Sequence, residues 1–112
     1  EGRIPLAEAT VYLATSAKSN SAYMGIGHAL DLVKQTGNLP VPLPIRNAPT
    51  KLMADLGYHD GYIYPHDYPG NFAPQQYLPD ELAGTVLWHP CSNMAEDRAR
   101  KYMDACWPER KR

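Results

Sequence analysis

Leu6, Ala9 and Leu13 recur at three- and four-residue intervals, which places them on one face of an α-helix. Pro5 suits a first helical position, where its missing N–H costs nothing. The pattern breaks over Thr15-Ser16-Ala17-Lys18-Ser19 and resumes as Tyr23, Ile26, Gly27, Leu30 and Val33. Ser19 or Asn20 can cap this second helix, and Gly37, followed by Asn38 and Pro40, stops it. A link this short between two helices predicts an antiparallel hairpin.

Pro40, Pro42 and Pro44 stand at alternate positions, so residues 38–46 are expected to run extended and to lie across the hairpin. Asn47 reads as the cap of a short helix, with Pro49 in its first turn, Gly57 at its end, and Leu52, Met53 and Leu56 as its buried face. Residues 58–90 hold no long helical period; Tyr58, Tyr62, Tyr64, Tyr68 and Tyr77 punctuate them, interleaved with prolines. Tyr62-Ile63-Tyr64 and Thr85-Val86-Leu87-Trp88 are β-prone and predict a small ribbon. A last helix starts near Asn93, with Glu96 in capping-box spacing. Its apolar stripe is Ala95, Ala99, Tyr102, Met103 and Cys106, Pro108 ends it, and Glu109-Arg110-Lys111-Arg112 should be a disordered basic tail. The expected fold is mainly α: a helical hairpin plus further helices, a long irregular Tyr/Pro-rich segment and a minor β-ribbon. Residues 1–107 form a single domain and 108–112 its tail.

Composition narrows the function. Eleven Lys and Arg against 12 Asp and Glu give a formal net charge of −1, which argues against a broad basic nucleic-acid face. Two cysteines exclude a disulfide-stapled scaffold. No apolar run reaches a membrane span and no signal peptide is visible, so a cytoplasmic chain and no membrane partner are expected. Glu1 stands where a start methionine would, and the chain is expected to be part of a longer polypeptide.

Candidate chemistry is sparse. His59, Asp60, His66 and Asp67 cluster without zinc spacing, so no metal is expected, and a His66–Asp67 hydrogen bond ordering the loop is the simpler reading. Cys91, two residues after His89, has the makings of a nucleophile only if that imidazole reaches it; otherwise Cys91 is structural, and Cys106 reads as core. No Gly-x-x-x-x-Gly-Lys-Ser/Thr loop is present, and Gly25 and Gly27 lie within a helical stripe, so the chain should not bind ATP alone. Arg46 and Lys51, near a helix start, are candidates for a phosphate; the alternative is Arg46 paired with Asp55 or Asp67. Arg98, Arg100 and Lys101, with Arg110, Lys111 and Arg112, are the one local cationic excess.

Several segments together resemble a known family. They are Ile4-Pro5-Leu6-Ala7-Glu8-Ala9, Tyr12-Leu13-Ala14 and Lys18-Ser19-Asn20 with Tyr23; then Pro40-Val41-Pro42, Arg46-Asn47-Ala48-Pro49-Thr50-Lys51-Leu52-Met53 and Leu56-Gly57-Tyr58; then Tyr64, His66-Asp67, Tyr77-Leu78-Pro79 and Leu82. Over roughly residues 3–96 the chain is similar to the C-terminal domain of the RarA/MgsA AAA+ ATPases, the bacterial replication-associated recombination proteins related to the eukaryotic Werner helicase-interacting protein. It departs from the family pattern at Pro65, where alanine is usual, and near Met94, where glycine is common.

The resemblance implies a helical domain that assembles its parent as a homotetramer. The parent is then a DNA-dependent ATPase acting in replication, recombination and repair at stalled forks, with ATP and Mg in an upstream module. DNA and single-strand-binding protein would be partners of the parent, in a nucleoid-associated cytoplasmic setting. Arg46, Asn47, Thr50, Lys51, His66 and Asp67 match family motif positions and take structural or interface roles. No catalytic residue and no cofactor is assigned to this chain. The alternative is a DNA- or partner-binding module, with Arg46, Lys51, Arg98 and Lys101 as contacts.

Overall fold

The computed structural model describes residues 1–110. Four α-helices, α1 (Arg3–Thr15), α2 (Ser21–Thr36), α3 (Lys51–Asp55) and α4 (Met94–Cys106), account for most of the regular structure among them. Short 3-10 turns stand at Leu43–Ile45, Pro65–Asp67, Pro69–Asn71 and Asp80–Leu82. The chain is mainly helical, as the periodicity predicts.

The expected antiparallel packing of the first two helices does not form. No residue of α1 comes within 8 Å, Cα to Cα, of another helix. After α1 the backbone turns extended at Ser16 (φ −75°, ψ 149°), and Ser19 Oγ accepts the Ser21 N–H at 3.1 Å. The link therefore continues into α2 instead of doubling back.

Nor does the ribbon form, and no strand is present among the described residues. At Ile63 a side chain takes the place of a partner strand. Gln75 Oε1 accepts the Ile63 N–H at 3.0 Å, and Gln75 Nε2 donates to the Ile63 carbonyl at 3.0 Å. The amide thus fills both backbone positions that a neighbouring strand would use. Pro65 and Pro90, which lack an N–H, close the two segments to further pairing.

The prolines of residues 38–46 do not give one continuous extended run, because Leu43–Ile45 forms a 3-10 turn. The segment lies against the end of α3 rather than across a hairpin: His59 N–H donates to the Leu43 carbonyl at 2.8 Å. Thr50, not Asn47, caps α3, with its Oγ1 accepting the Met53 N–H at 3.2 Å. Pro49 biases Ala48 away from helical geometry, so the helix starts only after it. Gly57, just beyond α3, has φ 84°, a conformation that favours glycine.

The chain buries little. Ala73 is the one fully buried apolar residue among those described, and Ser21 the one buried polar residue. Phe72 meets Trp107 edge to face at 5.3 Å, which ties the irregular segment to the end of α4.

Candidate functional site

Ser21, at the start of α2, is the centre of the best-ordered polar cluster. Its hydroxyl donates to Glu96 Oε1 at 3.0 Å and accepts the Trp88 indole N–H at 2.9 Å. Glu96 Oε2 accepts the Cys91 N–H, and Asn93 Oδ1 accepts the Glu96 N–H at 2.9 Å. The Asn93 half of a capping box is thus formed, while the Glu96 carboxylate also reaches across to α2. A hydrogen bond from Ser19, with others from Cys91, Ser21 and Asn93, holds the Glu96 carboxyl below the usual carboxylate range against a smaller opposing effect of burial. The cluster joins the N-termini of α2 and α4 to residues 88–91. Gly25 lets this segment approach α2: a Cβ there would lie 3.6 Å from the Leu87 carbonyl and 3.7 Å from Trp88.

This arrangement sets which side of α2 turns inward. Gly25, Ala29 and Leu32 are half-buried, whereas Tyr23 (78% exposed), Ile26, Leu30 and Val33 face outward. The large apolar stripe read from the sequence exists, but on the open side. The other helices depart from their expected faces as well. In α4 the expected stripe is split: Met103 and Cys106 are half-buried with Glu96, Arg100 and the following Trp107, while Ala95, Ala99 and Tyr102 are exposed. In α3 only Met53 is half-buried, and Leu52 and Leu56 are exposed. On α1, Ile4, Leu6, Val11, Tyr12 and Leu13 are all exposed, spread around the helix rather than gathered on one face.

The sequence-selected polar residues do not converge. Arg46 donates from Nε to the Val41 carbonyl, and its guanidinium lies over the Tyr58 ring, 4.9 Å from the centroid. Its partners are a carbonyl and an aromatic face rather than Asp55 or Asp67. Asn47 and Lys51 are exposed beside it, and Thr50 is occupied by capping. His66 lies against Tyr64 (5.1 Å between centroids) instead of bonding to Asp67, whose N–H donates to the Tyr64 carbonyl. Arg98 and Lys101 line a shallow surface groove with Asp97 and Met94. Arg100 pairs with Asp97 at 3.0 Å. Arg110 stacks over Trp107 at 4.6 Å, so the basic stretch is anchored at its start; Lys111 and Arg112 lie outside the described residues.

Cys91 Sγ points to Asn20 Oδ1 at 3.7 Å, while the His89 ring sits edge-on to His28 at 6.0 Å. The Cys–His pairing a nucleophile needs is not made. His59 stacks on Tyr62 at 4.8 Å. Among the described residues no three His, Cys, Asp or Glu side chains gather as a metal site. No described helix is long and apolar enough to cross a membrane.

Comparison with known proteins gives a consistent picture. A family model described as MgsA AAA+ ATPase C terminal matches residues 1–107, so the likeness runs past Glu96 and through α4. The chain is 41% identical over 105 residues to "Replication-associated recombination protein A" of Coxiella burnetii, covering 93% of this chain and 24% of that protein. It is 38% identical over 99 residues to the protein of the same name from Escherichia coli K12, covering 88% and 22%. With "ATPase WRNIP1" of Dictyostelium discoideum the identity is 40% over 76 residues, covering 67% and 9%. The chain thus spans about a quarter, or less, of the length of these relatives.

Proposed function

The chain belongs to the family of MgsA AAA+ ATPase C-terminal domains, and from that membership we propose that it is the assembly domain of an ATPase acting in replication-associated recombination. One observation carries the reading. The accessible surface is 8827 Å², against about 6,200 Å² for a compact monomer of 12.5 kDa. The Cα radius of gyration is 18.1 Å, where a compact chain of this length has about 13 Å. The excess surface is rich in large apolar side chains on α1, α2 and α3. A surface of this kind is what a subunit interface covers.

A homotetramer is the assembly proposed, with closed symmetry as the default for identical subunits. ATP and Mg belong to an upstream module of the parent. The residues present here do not fit a nucleotide: Gly25 lies in mid-helix against Leu87 and Trp88, and no phosphate loop is in the sequence. No step of hydrolysis runs through this chain. Its contribution is to gather several ATPase modules on one DNA structure, where linkage raises their effective concentration. Single-strand-binding protein is a proposed partner of the parent. Light scattering across a dilution series tests the reading. A mass of four chains that dissociates only at low concentration is expected; 12.5 kDa at every concentration would overturn it.

A further inference from the structure

We propose that α1 is an exchanged arm: it packs along the Tyr23–Ile26–Leu30–Val33 stripe of a second copy, whose own α1 packs along the stripe of the first. The inference rests on the assembly reading and says which surfaces make the contact.

Both surfaces lack a partner in the single chain. Leu6 and Leu13, on one side of α1, are 69% and 72% exposed, and Ile26 and Leu30 on the α2 stripe are 59% and 56% exposed. The lengths agree. Thirteen residues of α1 make about 20 Å at 1.5 Å per residue, and Tyr23 to Val33 make about 15 Å.

The charges also agree. Arg3 and Glu8 are the only ionisable side chains of α1 apart from the Tyr12 phenol, and Arg3 is already paired with Glu1 at 3.0 Å. On α2, Asp31 and Lys34 pair with each other at 3.8 Å, beside the stripe rather than on it. Glu8 lies on the side of α1 opposite Leu6 and Leu13, so its carboxylate stays in solvent and no unpaired charge has to enter the contact.

The area is sufficient. The surplus of about 2,600 Å² over a compact monomer exceeds the roughly 800 Å² per partner of a standard interface. The chain's own stripe is not the occupant, because α1 stays beyond 8 Å of α2 and the link is held by Ser19 and by the Cys91–Asn20 contact. Reciprocal exchange makes the contact isologous, so it closes on two copies and leaves α3 and α4 free to join such pairs.

Two double variants test this in the whole chain: Leu6→Glu with Leu13→Glu, and Ile26→Glu with Leu30→Glu. All four positions are more than half exposed in the single chain, so its fold does not depend on them. Each variant is expected to lose the four-chain mass by light scattering and fall to two chains or fewer, with tryptophan emission unchanged. Hydrogen exchange on the unmodified chain gives a second readout, with protection of α1 amides that is lost on dilution. An assembled parent chain whose mass survives both lesions, or whose α1 exchanges equally fast at all concentrations, overturns the arm and leaves the assembly reading standing. An unmodified chain that stays at 12.5 kDa throughout overturns the assembly reading itself.

Discussion

Glu96 shows how much one side chain can organise in a chain with almost no core. Its carboxylate joins two helix N-termini, and the bonds from Ser19, Cys91, Ser21 and Asn93 favour its ionised form. Its folded-state pKa lies below the ordinary value of 4.5, so the unfolded chain binds more protons in that range. The stabilisation is therefore complete above about pH 5 and is lost as the pH falls below 4.5 towards the folded value. Urea unfolding followed by tryptophan emission should show stability falling over that acid range. In Glu96→Gln the acid dependence from this group should disappear, at the cost of lower stability near neutral pH. Gly27 behaves differently from Gly25. Nothing lies within 4 Å of a Cβ built at Gly27, so Gly27→Ala should stabilise the chain by about 0.5–1 kcal/mol through helix propensity alone. A chemical unfolding curve that moved to lower urea would show that this position is covered after all.

At the scale of elements, the helices were legible and their partners were not. The spacing of Tyr23, Ile26, Leu30 and Val33 correctly marks a helix, because side-chain periodicity is a property of that segment alone. Which side faces inward depends on what covers it, and here Gly25, Ala29 and Leu32 turn inward, with Leu87 and Trp88 sitting against Gly25. Sequence patterning reports the face that seeks cover, not the molecule that supplies it. The Asn93 cap was legible for the same local reason; Asn93→Ala should cost about 1 kcal/mol of stability in urea. The lost ribbon was not legible, since nothing in the β-prone residues says that a glutamine twelve positions on will take the backbone of Ile63. Gln75→Ala should cost about 1–3 kcal/mol by leaving that N–H and carbonyl without partners. Of the polar residues selected from the sequence, Arg46 was recognisable as special, but its aromatic partner Tyr58 only appears once α3 brings the two together.

For the molecule as a whole, stability and association should be one quantity. A chain with 8827 Å² of accessible surface and one buried apolar residue among those described has little burial of its own, and under the proposed assembly most of it comes from other copies. Its thermal midpoint should therefore rise with protein concentration, whereas a self-sufficient monomer would show a flat dependence in the same scan. Such a chain is also exposed to a hazard. It presents apolar surface, and an open backbone edge at Tyr62-Ile63-Tyr64 would let copies stack on one another. The Gln75 amide removes that edge: with Ile63 already bonded on both its N–H and its carbonyl, the segment cannot template a growing sheet. One glutamine thus occupies the backbone positions at Ile63 through which a further strand would add.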